Sequence, residues 1–161
     1  MLFLILTLPF IVYSQESHKS LKSSGFIDKR DELHYDTSKT TIILLSNKNR
    51  WAFDTSYKQG FLTQAELNCV DSILISGITN YNNKRDRNRY PEIDLTNFNY
   101  RKQLIGLMNL RGGKEIYVSC FCRKDDDRWK TEYFCTYDGG NCYFNFKINV
   151  AEKQYFDLQV N

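Results

Sequence analysis

The sequence predicts an α+β domain in which one long amphipathic helix lies across an antiparallel meander sheet. Two observations carry that reading. Thr63-Gln-Ala-Glu66 is a capping box that opens a run of apolar residues spaced three and four apart. From Tyr100 onward the apolar period changes to two, and Gly- and Asp-rich turns interrupt it. Among folds of this kind, a cystatin-like roll is the favoured arrangement.

The chain opens on an uncharged apolar run, Met1-Leu-Phe-Leu-Ile-Leu-Thr-Leu-Pro-Phe-Ile-Val-Tyr-Ser-Gln15, with a Val12-x-Ser14 step. An apolar stretch followed by small residues marks residues 1–14 as a secretory signal peptide, although Met1-Leu2 lacks the usual basic residue. The run stops near Tyr13, short of the ~20 apolar residues of a transmembrane helix. No cysteine follows it to carry a lipid, so no stable membrane anchor is expected. The protein is expected to be secreted or periplasmic, where disulfides persist. Residues 15–39 are polar, hold both histidines (His18 and His34) and show no sustained periodicity. They read as a flexible N-terminal arm. Residues 40–161 then form a single domain, long enough to bury a core without relying on disulfides alone.

Each element has a local reason. Thr40-Thr-Ile-Ile-Leu-Leu45 is a β-branched run of strand length, and Trp51 and Phe53 alternate just after it. The helix begun at the capping box presents Leu67, Val70, Leu74, Ile78 and Tyr81, with Ile73 and Ile75 widening the stripe. Burying each such side chain contributes roughly 1.5–3 kcal/mol, so this face must cover something. Asn82-Asn83 end it. Residues 84–99 are charged and irregular, and Lys84-Arg-Asp-Arg-Asn-Arg89 reads as a solvated loop. A phosphate site there would need supporting aromatics or a Gly-rich turn.

Tyr100 to Met108 is a strand, and Arg111-Gly-Gly-Lys114 is the following turn. Ile116, Val118, Cys120 and Cys122 then alternate with Tyr117, Ser119 and Phe121. After Lys124-Asp-Asp-Asp-Arg128, a further strand is expected with Trp129, Thr131, Tyr133, Cys135 and Tyr137 on one face. Asp138-Gly139-Gly140 signals a hairpin. Cys142, Phe144, Phe146 and Ile148 follow on one face, opposite Tyr143, Asn145, Lys147 and Asn149. Phe156, Leu158 and Val160 make a last short strand. Eleven Tyr, eleven Phe and only two Pro suit such sheets.

The five cysteines are Cys69, Cys120, Cys122, Cys135 and Cys142, an odd number that leaves at least one thiol unpaired or intermolecular. Cys120 and Cys122 are two residues apart on one strand, about 6.6 Å between Cα atoms, at the far edge of bonding range. If Asp138-Gly139 forms a two-residue turn, Cys135 stands directly opposite Cys142 at about 5.5 Å, within range. With Gly139-Gly140 as the turn, that pair becomes diagonal. Cys135–Cys142 is the candidate disulfide.

Several chemistries find no support. The net charge of +3 is mildly basic and implies no nucleic-acid partner. Asp125-Asp-Asp127 lacks the alternating ligands, central Gly and distal Glu of a calcium loop. No Gly-x-Ser-x-Gly, His-Glu-x-x-His or phosphate loop occurs. With both histidines in the arm, neither a Cys–His nucleophile pair nor a zinc site is expected, and no cofactor or metal is implied. Asp157 and Glu132 are available as carboxylates for a cleft, but no sequence signal places them together.

Phe61-Leu-Thr-x-x-Glu66, Cys120-Phe-Cys122, Trp129-Lys-x-Glu132, Asp138-Gly-Gly-Asn-Cys-Tyr-Phe144, Lys147-Ile-Asn149 and Leu158-x-Val-Asn161 resemble segments of a family of small, secreted, uncharacterised bacterial proteins. The resemblance spans roughly residues 40 to 161. It implies a signal peptide and a single domain, and brings no activity. Cys69 and Cys135 depart from the family's pattern, in which Cys142 has no partner at position 135. The resemblance therefore raises Cys120 or Cys122 as the partner of Cys142.

Together these residues describe a secreted, non-enzymatic binding or interaction module. Its surface would be the aromatic outer face of the sheet, with Tyr117, Phe121, Phe134 and Tyr143 meeting an unknown protein or surface ligand, unless these rings only pair with one another across strands and meet no partner. The alternatives are an extracytoplasmic hydrolase with a cleft between helix and sheet, and thiol chemistry at Cys120 and Cys122, which requires an exposed, low-pKa thiol.

Overall fold

The computed structural model describes residues 36–122 and 126–160. The expected signal peptide and most of the N-terminal arm lie outside the described residues. Within them the α+β class holds: strands β1 (Thr40–Ile42) and β2 (Lys58–Gln59), helix α1 (Gln64–Lys84), then strands β3 (Arg101–Met108), β4 (Lys114–Phe121), β5 (Tyr143–Asn149) and β6 (Gln154–Val160). The sheet order is β1-β3-β4-β5-β6, with β2 also on β3. The strands β3 to β6 are the antiparallel meander. The first strand departs from it, running parallel to β3 with Thr40 opposite Lys102. Trp51 and Phe53 form no strand, since residues Arg50–Ala52 make a 3-10 turn.

Both β1 and β2 share the outer edge of β3, and the chain can reach both only because two glycines meet there. A Cβ on Gly106 would lie 2.2 Å from the Gly60 carbonyl oxygen. Without one, the Gly60 amide donates to the Gly106 carbonyl at 2.9 Å.

The helix begins where the capping box places it. The Thr63 hydroxyl accepts from the Glu66 amide, and the Thr63 amide donates to Glu66 Oε2 at 2.7 Å. Lys114 extends the box across to the sheet, with its Nζ 2.8 Å from Glu66 Oε1 and 3.0 Å from the Phe61 carbonyl. Partial burial works against the Glu66 carboxylate, but Lys114 and Thr63 outweigh it and hold its pKa below the usual value. A depressed folded-state pKa stabilises the fold above the unfolded-state value, and that contribution is lost as pH falls through the folded-state value. Glu66→Gln is therefore expected to destabilise at neutral pH by an amount that shrinks in acid. Urea unfolding at neutral pH and below the usual carboxylate range checks this, and a pH-independent gap would refute it.

On one face of the sheet, Val70, Ile73, Leu74 and Ile78 of α1 pack against Leu104, Ile116, Val118, Cys120, Phe144, Phe146 and Ile148. Leu67 and Tyr81 join the margin of this core. Ile75 does not widen the stripe: it is 57% exposed, about 200° around the helix from Ile73.

The opposite face was expected to be the outer one, and it is not. Ile43, Phe53, Ile105, Leu107 and Tyr117 form a second core there. Phe121 and Trp129 are fully buried further along it, with ring centroids 5.8 Å apart. Two segments, residues 43–57 and 127–137, cover this face. The first is shaped by Asn49, whose side chain accepts from the Ser46 amide at 2.8 Å and donates to the Leu44 carbonyl at 2.9 Å.

The second segment corrects the expected strand at 129–137. It is a 3-10 turn, Asp127–Lys130, capped by the Asp126 carboxylate, followed by irregular chain. β4 already has β3 on one side and β5 on the other, so no edge remains for it. Its backbone is satisfied by Gln103, which is fully buried on β3. Gln103 Nε2 donates to the carbonyls of Trp129 at 2.5 Å and Glu132 at 2.6 Å, and Oε1 accepts from the Phe134 amide at 2.8 Å. Both N–H donors and one of the two carbonyl lone pairs of the amide are thus used.

The Asp138-Gly139-Gly140 hairpin is also corrected, because a 3-10 turn, Gly140–Cys142, leads straight into β5. This changes the disulfide. The register of Phe121 with Tyr143 carries Cys122 opposite Cys142, and these two are bonded with Cα atoms 5.1 Å apart. Cys135–Cys142 does not form, and Cys69, Cys120 and Cys135 are free thiols.

Candidate functional site

Of the four aromatic residues expected to form an adhesive face, the structure brings three together where the 127–137 segment packs on the sheet. Phe134 sits between Phe121 and Tyr143, with centroids 5.4 and 5.8 Å away. These rings are packing, not surface: Phe121 is buried, and Phe134 and Tyr143 are half-buried. Tyr117 is buried too, but it forms the floor of a cleft with a volume of about 390 Å³ on this same face.

Three separate parts of the chain build that cleft. The 3-10 turn Arg50–Ala52 supplies Trp51, and the 127–137 segment supplies Tyr133, Cys135, Thr136 and Tyr137. The strands β5 and β6 supply Asn145, Lys147, Asp157 and Gln159. Phe53 braces the floor edge-on to Tyr117 at 5.0 Å. Trp51 stands edge-on to Tyr133 at 6.1 Å and remains 63% exposed at the mouth, as Tyr137 does at 78%.

A β-bulge turns Asp157 into this site. The pairing of β5 with β6 shifts between Asn145 and Lys147, and Asp157 takes the left-handed conformation at φ 53°. The extra residue leaves Tyr155, Leu158 and Val160 on the helix side and sends Phe156 to the other face. The Asp157 carboxylate then lies 3.2 Å from Lys147 Nζ. That ammonium also lies over the rings of Tyr57, 5.4 Å away, and Phe156, 5.6 Å away. Tyr57 is itself anchored, donating to Glu115 Oε2 at 2.7 Å, while Asn109 donates to Glu115 Oε1 at 2.8 Å.

The electrostatics suit binding. Burial pushes the Tyr117 phenol up to about 12, and burial together with Tyr117 pushes Tyr133 higher still. The two hydroxyls, 3.0 Å apart, therefore stay neutral at any physiological pH and act as hydrogen-bonding groups. Partial burial opposes the Lys147 charge, but Tyr57 and Asp157 outweigh it and raise its pKa. Lys147 and Asp157 are the charged side chains lining the cleft, one of each sign.

The other predicted positions fall elsewhere. Glu132 lines a separate depression with Ile42 and Lys130, so it and Asp157 are not brought into one site. Cys120 is 1% exposed and burial pushes its thiol up, while Cys122 is in the disulfide. Neither meets the requirement of an exposed, low-pKa thiol. The first core packs the middle of α1 onto the sheet, while two depressions of about 390 and 610 Å³ remain open between α1 and the β6 edge. The larger of these, beside the basic loop, is lined by Tyr81, Tyr90 and Tyr155 with Lys84 and Arg85; the Arg85 terminal nitrogens donate to Glu92 at 2.8 Å and to the Asn82 carbonyl, while its buried Nε has no hydrogen-bond partner among the described residues. Among the described residues no three His, Cys, Asp or Glu side chains cluster as metal ligands, and no helix is long and apolar enough to cross a membrane.

Sequence reasoning named Asp157 as a possible cleft carboxylate but missed Trp51, Tyr133, Tyr137, Asn145, Lys147 and Gln159 as site residues. The alternation along β5 put Asn145 and Lys147 on the correct face, but no local signal announced the bulge at Asp157. Comparison with known protein families, with characterised proteins and with solved structures finds no match.

Proposed function

We propose that this protein is an extracytoplasmic binding domain whose site is the aromatic cleft on the second face of the sheet. The observation that carries the proposal is the convergence of exposed Trp51 and Tyr137 on the hydrogen-bonded pair of buried Tyr117 and half-buried Tyr133 and on the Lys147–Asp157 ion pair. Pockets of this kind combine apolar walls with a few fixed polar groups, and this volume lies within the usual range for small ligands. The site sits on paired strands and on a segment pinned by Gln103, so it is preformed. The Cys122–Cys142 disulfide supports an oxidising compartment, in line with the apolar leader at residues 1–14.

The chain has two tryptophans, and only Trp51 is exposed, since Trp129 is 1% accessible. Trp51 emission therefore reports on the cleft. A screen of saccharides, nucleosides, amino acids and carboxylates is expected to find a class that raises the unfolding midpoint and changes Trp emission. Trp51→Ala should weaken binding about tenfold or more without shifting the midpoint of the unliganded protein. A ligand whose affinity survives Trp51→Ala, or the absence of any response across the screen, would sink the proposal.

A further inference from the structure

We infer that the ligand of this cleft is a neutral saccharide. The inference rests on the binding role proposed above and adds the chemical class. Three observations point to it.

The first is charge. Lys147 is answered by Asp157 at 3.2 Å, and the cleft's lining holds one positive and one negative side chain. A free anion would have to compete with Asp157 for the ammonium, and a free cation with Lys147 for the carboxylate. The site thus gives ionic ligands no net attraction, while both members of the pair can still hydrogen-bond to hydroxyl groups.

The second is the amides. Asn145 and Gln159 face each other across β5 and β6 and both line the cleft. Neither side chain makes a hydrogen bond within the described residues. Each offers a carbonyl acceptor and an NH2 donor, the combination that matches a hydroxyl acting as both donor and acceptor. With the Tyr117 and Tyr133 hydroxyls, the walls present neutral groups of both kinds to a polyhydroxylated molecule.

The third is the mouth. Trp51 and Tyr137 are exposed there. Flat aromatic faces pack on the C–H face of a sugar ring, which is apolar although its edge is rich in hydroxyls. A cleft with aromatic lips and unused amides fits that two-sided chemistry.

The test is a titration of the full exported protein, following Trp emission, against three probes: neutral disaccharides of glucose, galactose and N-acetylglucosamine; the glucuronic acid counterparts; and inorganic phosphate. At least one neutral disaccharide is expected to bind saturably, at least tenfold tighter than the acidic counterpart. Its affinity should not change between low and high salt. Asn145→Ala with Gln159→Ala should weaken it at least tenfold, and circular dichroism should show that the doubly substituted protein is folded. Tighter binding of the glucuronic acid sugar or of phosphate, falling with salt and lost in Trp51→Ala when binding is followed by calorimetry instead of emission, would overturn the saccharide inference and leave the binding role standing. If none of these probes binds but a nucleoside or amino acid from the wider screen does so through Trp51, the outcome is the same. Silence from every probe would overturn both.

Discussion

Gln103→Leu is expected to lower stability by about 3 kcal/mol, although leucine nearly matches the side chain in size. The loss comes from orphaned backbone groups. Each buried group deprived of its partner costs roughly 1–3 kcal/mol, with the part-buried ones at the low end because water can reach them. The groups are the Trp129 and Glu132 carbonyls and the Phe134 amide. The 127–137 segment has no strand partner to replace them. It should therefore loosen before the rest of the fold, exposing Trp129 and shifting its emission to the red. Because Tyr133 and Tyr137 form a wall of the cleft, ligand binding should fall with it. Gln103→Glu separates packing from hydrogen bonding: it keeps the shape, removes both N–H donors and aims a carboxylate at two carbonyls. It should be at least as damaging at neutral pH and partly recover in acid, where the protonated acid regains one donor. Denaturant unfolding monitored by Trp emission measures all of this. A Gln103→Leu protein as stable as the parent would show that the amide does not hold this segment.

Reduction of Cys122–Cys142, or Cys142→Ser, is expected to cost a similar amount. The bond closes a loop with a sequence separation of 20. In the chain-entropy view a loop of that size contributes about 3 kcal/mol. That corresponds to roughly 10 °C in the unfolding midpoint of a domain this size. The closed loop contains the whole 127–137 wall, so the cleft should lose affinity under reducing conditions. Cys135→Ser, by contrast, should change stability by less than about 1 kcal/mol, since Cys135 is unbonded and only half-buried. Intact mass with and without reduction counts the bonds, and mapping of an unreduced digest names the partners. A peptide joining Cys135 to Cys142 would overturn the strand register described for β4 and β5.

These two positions also divide what is local from what is not. The helix is legible because its causes lie within a few residues of one another: the Thr63 and Glu66 capping partners, and the spacing of Val70, Leu74 and Ile78. The alternation along β5 is legible for the same reason, as neighbouring side chains on a strand point to opposite faces whatever the strand pairs with. The choice of partners is a different matter. The Trp129-to-Tyr137 pattern alternates as a strand would, yet it stays out of the sheet because both edges of β4 are occupied. That decision is global, and it moved the disulfide from Cys135 to Cys122. It also converted an expected outer face into a second core, with the cleft above Tyr117 left open at its surface.

By itself, then, the chain's sequence determined the helix, the central strands and the faces of their side chains, since short-range geometry and hydrophobic period suffice for those. Tertiary structure alone decided which strands are neighbours, which cysteines meet, and that Trp51, Tyr137, Lys147 and Asp157 surround one cavity. Those outcomes depend on competition for sheet edges and for buried hydrogen bonds, and they bring to one cleft residues 106 positions apart, Trp51 and Asp157. No local pattern encodes the winner of such a competition.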